Sequence, residues 1–133
     1  MFGQKAKNTI DSLIGLSTTI EGDIRFKGGL RVDGHVKGSL IADPLENSML
    51  VVSEQATVEG EVRAAHLVVD GAIIGPVYCS ELLELQPKAR ITGDVHYKAL
   101  EMHGGALVSG KLSYHQDSEQ VLKLASPKLA SNV

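Results

Sequence analysis

Hydrophobic and polar positions recur along the chain in a repeat of 15 to 22 residues that is centred on a glycine. In six segments, a β-branched residue stands two positions before the glycine and an aliphatic residue two positions after it. The six glycines are separated by 16, 22, 15, 18 and 17 residues. The longest interval contains residues 43–48, whose Asp, Pro, Asn and Ser predict a looped-out insertion. The segments are 20–24, 36–40, 58–62, 73–77, 91–95 and 108–112.

Two further sets of apolar positions keep step with these glycines. A pair of apolar residues, two positions apart, begins eight or ten residues before each glycine, and a two-residue difference preserves the inward face of a strand. A third position lies four residues after each glycine, so every repeat predicts three short strands with alternating inward and outward side chains. The pairs are Ile14/Leu16, Leu30/Val32, Leu50/Val52, Leu67/Val69, Leu83/Leu85 and Leu100/Met102; the third positions are Phe26, Ala42, Ala64, Cys79, Tyr97 and Tyr114.

This pattern predicts an all-β fold, a three-sided parallel β-helix of about six rungs. One repeat cannot bury its apolar side alone, whereas stacked repeats form a continuous core and pair every strand with its neighbours. Frequent glycines and the two-residue alternation argue against helices, and the missing tight hairpin signals argue against a β-sandwich. We expect the β-helix to span residues 14–114, with a flexible N-terminal tail at 1–13 and a flexible C-terminal tail at 115–133.

Composition and charge narrow the class of function. The chain has 133 residues, no Trp and a net charge of −3, which argues against a nucleic-acid partner. A lone cysteine excludes an internal disulfide and fits a reducing compartment. No apolar run approaches the length of a membrane span, and the N-terminus lacks a secretory signal pattern. We therefore expect a cytoplasmic protein.

No constellation of residues predicts catalysis, and we expect no enzyme activity, cofactor or metal. The five histidines occupy different places in their repeats, so they predict a solvated surface and not a zinc site. Cys79 falls in the third inward position, which favours core packing over a nucleophile. A hexapeptide-repeat enzyme on a left-handed β-helix is the main enzymatic alternative, but intervals of 15, 16 and 17 residues break a six-residue repeat.

The two ends of the predicted β-helix are candidate polymerisation surfaces. A terminal rung has strand edges without a neighbour, and no obvious capping element flanks either end of the repeat region. Capping of the ends by residues 5–13 or 119–125 is the alternative. Docking of two ends would continue both the strand ladder and the apolar files, which gives a fibre. A monomeric β-helical adaptor that binds partners through its tails is the alternative. The predicted interface residues are Ile14, Leu16, Ile20 and Phe26 at one end and Leu100, Met102, Leu112 and Tyr114 at the other.

With these repeated segments, the sequence resembles the bactofilins, bacterial polymer-forming cytoskeletal proteins. Residues 30–38, 56–62 and 67–71 carry the resemblance within the repeats, and the opening Met1-Phe2-Gly3 with Lys5 and Lys7 is similar to a short membrane-targeting segment. The resemblance implies a right-handed β-helix that polymerises with itself, without nucleotide, into non-polar filaments. It also implies a scaffold for cell-shape or cell-wall enzymes at the inner face of the cytoplasmic membrane, with Met1, Phe2, Lys5 and Lys7 as its contact.

Overall fold

The computed structural model describes residues 9–115, which form one coil of short parallel β-strands. Each full layer of the coil contains three strands, and two long strands, β9 and β11, bend around a corner and contribute to two successive layers. The strands are β1 (Ile10–Ile14), β2 (Thr19–Glu21), β3 (Ile24–Phe26), β4 (Gly28–Val32), β5 (His35–Lys37), β6 (Leu40–Ala42), β7 (Ser48–Val52), β8 (Thr57–Glu59), β9 (Val62–Val69), β10 (Ala72–Ile74), β11 (Val77–Leu85), β12 (Arg90–Thr92), β13 (Val95–Tyr97), β14 (Ala99–Met102), β15 (Leu107–Ser109) and β16 (Leu112–Tyr114).

Parallel pairing between successive layers produces three flat faces. Face 1 stacks β1, β4, β7, the second halves of β9 and β11, and β14. Face 2 stacks β2, β5, β8, β10, β12 and β15. Face 3 stacks β3, β6, the first halves of β9 and β11, β13 and β16. This confirms the predicted three-sided parallel β-solenoid of about six layers.

The core is a set of vertical files of similar aliphatic side chains. On face 1, Leu50 lies over Leu30, Leu67 over Leu50 and Leu83 over Leu67, and face 2 stacks valine and isoleucine in the same way. Side chains in the middle layers are fully buried, as expected when each is covered from both sides. The fully buried large residues are Leu40, Leu50, Leu67, Ile73, Leu83, Leu85, Ile91, Val32, Val36, Val52, Val58 and Val62.

The first layer departs from the sequence prediction. The strand begins at Ile10, four residues before the predicted start of the β-helix, and Ile14 pairs with Val32 instead of Leu30. Leu16 therefore does not enter an inward file, and it lies 62% exposed in a corner. That corner contains four residues and is closed by a hydrogen bond from Thr18 N to Gly15 O of 3.0 Å. The prediction that Leu16 is an inward residue was wrong, because a two-residue slip of the strand preserves the alternation of faces.

The corner between faces 1 and 2 exists in two lengths. Long corners hold four residues and bury a small side chain in three of the layers, namely Ala56, Ala89 and Ala106. Short corners hold only Asp33-Gly34 or Asp70-Gly71, as their turn chemistry predicts. In the five repeats after the first, this difference in corner length accounts for the change from eight to ten residues in the sequence pattern.

The predicted insertion is present between β6 and β7, but it ends one residue earlier than expected. Ser48 belongs to β7, is 2% exposed and accepts a 2.9 Å hydrogen bond from Ala65 N. Residues 43–47 project from the solenoid and carry Leu45, which is 91% exposed, at their tip. Over residues 9–115, no helix has the length and hydropathy to cross a membrane.

Candidate polymerisation tips

The C-terminal tip, formed by β14, β15 and β16, leaves the ends of the inward files uncovered. Met102 is 45% exposed and Leu112 is 43% exposed, although Leu85 and Val95, their neighbours one layer inside, are fully buried. Tyr114 lies over Tyr97 with ring centroids 6.1 Å apart and is 60% exposed. The apolar surface at this tip therefore arises because the described solenoid has no next layer.

The N-terminal tip, formed by β1, β2 and β3, exposes less apolar surface along the same files. Ile14 is 8% exposed, and Ile20, Ile24 and Phe26 are partly buried against the core. Ser12 takes the place that leucine occupies in the layers above it, because Ser12 pairs with Leu30. Ser12 and Ile10 belong to this tip and were missed by the sequence interpretation, which began the β-helix at Ile14.

Both tips also carry strand edges with unused hydrogen-bonding groups. Within residues 9–115, β1, β2 and β3 pair on one side only, with β4, β5 and β6. At the other end, β14, β15 and β16 pair on one side only, with β11, β12 and β13. Such edges accept a further strand, and here the apolar files would continue across the new contact.

The predicted interface residues thus fall into two groups. Ile14, Ile20 and Phe26 lie together in the first layer, and Leu100, Met102, Leu112 and Tyr114 lie together in the last. Leu16, the remaining predicted interface residue, lies in the corner between β1 and β2 and not in an inward file. The predicted membrane-targeting residues Met1, Phe2, Lys5 and Lys7 lie outside the described residues.

The titratable groups with clearly shifted pKa values lie away from both tips. Burial raises the pKa of Cys79 to about 11, and its Sγ contacts Ala65 O at 3.2 Å, as expected for a packed thiol. A hydrogen bond from Ser53, helped by Arg31, lowers the pKa of Asp33. Glu54, 2.6 Å from Lys88 Nζ, raises the pKa of that lysine. These contacts belong to the core and the corners.

Two of the histidines do converge, contrary to the sequence interpretation. His96 Nδ1 lies 2.8 Å from His115 Nε2, and the His96 ring stacks on Tyr78 with centroids 4.7 Å apart. His115 follows β16, the last strand, and its side chain lies beside His96 of β13, one layer below. The position of His115 in the repeat therefore could not reveal the contact. In the described part of the chain, no group of three or more His, Cys, Asp or Glu side chains could hold a metal ion.

Over residues 9–115, a parallel β-solenoid with unpaired strand edges at both tips and uncovered apolar files at the C-terminal tip has the architecture of a polymer-forming protein. The family model of bactofilin, described as polymer-forming cytoskeletal, matches residues 12–113. The chain therefore belongs to the bactofilin family. This family is a structural, cytoskeletal one.

Several relatives and solved structures are similar to the chain. Bactofilin BacO of Myxococcus xanthus is 26% identical over 111 residues, which cover 84% of this chain and 85% of the relative. Bactofilin BacP of the same organism is 25% identical over 107 residues, which cover 80% of this chain and 43% of the relative.

The similar structures include filaments. A cryo-EM reconstruction of Thermus thermophilus bactofilin double helical filaments has 33% identity and a TM-score of 0.69, covering 75% of this chain and 95% of the other. A solid-state NMR structure of the cytoskeletal bactofilin BacA has 30% identity and a TM-score of 0.67, covering 78% and 96%.

Proposed function

We propose that the protein assembles end to end, without nucleotide, into non-polar filaments that act as a membrane-associated scaffold for cell-shape or cell-wall machinery. One observation carries the assembly step. Leu112, at 43% exposure, continues a file in which Val95 and Val77 are fully buried. A second copy placed on the tip supplies the missing cover.

Apolar burial and strand pairing both favour the contact between two tips. Complete burial of one Leu, Met or similar side chain contributes about 1.5–3 kcal/mol. Covering the exposed halves of Met102, Leu112 and Tyr114 therefore contributes about 3 kcal/mol per copy, and hydrogen bonds along three strand edges add to this. No step in this assembly requires a bound nucleotide, since the contact joins surfaces that the fold already exposes.

The proposal of non-polar filaments requires two kinds of joint, one between C-terminal tips and one between N-terminal tips. The tips differ in chemistry, because the C-terminal tip exposes Met102, Leu112 and Tyr114 while Ile14 is nearly buried at the other. Each tip could pair with its own copy through a two-fold axis, which keeps the same residues on both sides of the joint.

The scaffold role rests on the family and on the N-terminal segment. Phe2 would insert into the lipid interface while Lys5 and Lys7 contact anionic head groups, each lysine contributing about 1 kcal/mol. One copy would bind weakly, whereas a filament presents many copies and gains avidity. Cell-wall-modifying enzymes are the proposed clients of such a filament.

Negative-stain electron microscopy and high-speed sedimentation of the nucleotide-free protein test the assembly. We expect filaments that pellet, and we expect Leu112→Arg to abolish long filaments because a charge would be buried at the joint. The control is Ile74→Arg, since Ile74 is 50% exposed on face 2, away from both tips, and should leave filaments intact. A wild-type protein that stays in the supernatant as a 14.2 kDa monomer would favour the adaptor alternative.

A further inference from the structure

A groove runs along the outer surface of face 3. It is separate from the inward files of side chains that end at the two tips. It has a volume of about 710 Å³ and extends from Ile41 in the second layer to His115 after the sixth. Four layer spacings of about 4.8 Å make its length about 19 Å. Two small corner residues, Ala65 and Ser80, line it. We refer to it as the side groove.

The floor of the side groove is a continuous stack of flat groups. The Arg63 guanidinium lies 3.9 Å from the Tyr78 ring centroid, and Tyr78 stacks on His96 with an interplanar angle of 4°. His96 in turn contacts His115, whose ring also lines the groove. Because these groups contact one another, the floor presents a continuous surface for an apolar or planar ligand.

The walls of the side groove carry charges arranged along its length. Lys98 makes the His115 end basic, and Asp43 and Glu46 of the insertion make the opposite end acidic. Arg63 and Glu81 lie between the two ends. Neither Lys98 nor Glu46 takes part in a recorded ion pair with another residue of the 9–115 range. Leu45, 91% exposed, stands beside the acidic end without apolar cover from the described chain.

The chain that follows His115 has the length and the order of residues to occupy this groove. Residues 116–133 add 18 residues (133 − 115), and even at a rise of 1.5 Å per residue they would reach about 27 Å, more than the groove's length. Asp117 and Glu119 come first, then apolar Val121, Leu122 and Leu124, and Lys123 and Lys128 stand within or beyond the apolar group. The acidic residues would meet the basic end, and the lysines would approach the acidic end.

We propose that the segment 116–128 binds in the side groove of its own copy. Asp117 and Glu119 pair with Lys98, while Leu122 and Leu124 cover Tyr78 and Leu45. The side groove does not include Leu112 or Tyr114, so a segment bound there leaves the C-terminal tip open. The contact is intramolecular and does not depend on the proposed filament function.

Disulfide trapping in the full-length chain tests this contact. In a Cys79→Ala background, Ser80→Cys is combined with Leu124→Cys, since Ser80 is exposed in the groove. The matched control combines Ile74→Cys, on face 2, with Leu124→Cys. We expect the groove pair to oxidise at least about 10-fold faster than the control pair, because docking raises the effective concentration of the two thiols. Equal rates would overturn the proposal.

A mixture of ¹⁵N-labelled and unlabelled protein distinguishes binding within one copy from binding between copies. Mass spectrometry of the linked peptide should show unmixed isotope pairs, whether or not the protein forms filaments. Mixed pairs would overturn the proposal and identify a second copy as the occupant. Charge reversal by Asp117→Lys and Glu119→Lys should slow trapping of the groove pair several-fold, and an unchanged rate would contradict the assigned direction of the segment.

Discussion

The carbonyl oxygen of Gly60 lies directly against Gly75 in the next layer, where a Cβ would approach it to 2.2 Å. The same relationship joins Gly38 to Gly60 and Gly75 to Gly93. The repeated glycine is therefore needed because the chain passes so close to the previous layer that no side chain fits between them. This close approach gives the repeat its most regular position in the sequence.

Gly75→Ala should destabilise the protein strongly, because the new methyl group overlaps backbone atoms and the layers must separate. We expect a loss of about 3 kcal/mol or more in the free energy of unfolding, measured by chemical denaturation. Gly22→Ala is the matched control, since Gly22 also has a positive φ, 130° against 148° at Gly75, but a Cβ there meets nothing within 4 Å. Its effect should be limited to backbone strain of about 1–2 kcal/mol. Similar losses in the two variants would contradict the argument from close approach.

Inward and outward positions in one strand should differ sharply in their contribution to stability. Leu83 is fully buried, whereas its neighbour Leu82 points to the other side of the sheet and is only partly buried. Leu83→Ala should cost about 3–5 kcal/mol, and Leu82→Ala about 1 kcal/mol or less. Thermal denaturation of the two variants measures the difference, and a reversed order would mean that the register of β11 is wrong.

The sequence pattern predicted most of the fold because each stacked layer requires the same kinds of side chain at the same positions. The files through Leu50, Val58 and Val62 could be recognised since each position asks for the same kind of side chain in every layer. The first layer could not, because Ile14 satisfies the pattern in either of two registers that differ by two residues. The side groove was also missed, since it depends on distant partners such as His115.

Variants at single tips should reveal how copies are joined. If filaments are non-polar, Leu112→Arg blocks one kind of joint and leaves the other, so dimers of twice 14.2 kDa should form. Phe26→Arg should give dimers through the opposite tip. Analytical ultracentrifugation measures both masses, and monomers from each variant would indicate head-to-tail joints and contradict the non-polar arrangement.

Cys79 should react slowly with thiol reagents while the protein is folded. With its pKa raised from 9.0 to about 11, roughly one thiol in a thousand is ionised at pH 8, against about one in ten at the ordinary pKa of 9.0 in the unfolded chain. Labelling of the native protein should therefore be about 100-fold slower than labelling in denaturant, before any effect of access is counted. Comparable rates would show that the thiol is exposed.

The raised pKa of Cys79 also has a consequence for stability against pH. The unfolded chain ionises first, so the contribution of the neutral thiol is complete below pH 9.0 and is lost as the pH rises toward about 11. Comparison with Cys79→Ser, which does not ionise, isolates this group from the tyrosines and lysines. Relative to Cys79→Ser, the free energy of unfolding of the wild type should fall over that pH range. A constant difference between the two proteins would contradict the raised pKa.

Membrane binding should depend on the first residues of the chain. We expect the wild type to float with vesicles containing anionic lipid, and deletion of Phe2 or Lys5→Ala with Lys7→Ala to reduce the floated fraction. The lysine change should matter less at high salt, because screening already weakens the electrostatic part. Equal flotation of wild type and the Phe2 deletion would remove this segment as the membrane contact.

Because the spacing between layers is fixed, the number of layers sets the axial length of one copy. Six layers at about 4.8 Å give one copy an axial length of about 29 Å, so a filament with two-fold joints would repeat about every 58 Å along its axis. A relative with one more complete layer would lengthen this period by about 4.8 Å per copy and leave both tips chemically unchanged. Members of the family could therefore differ in filament period while still joining to each other.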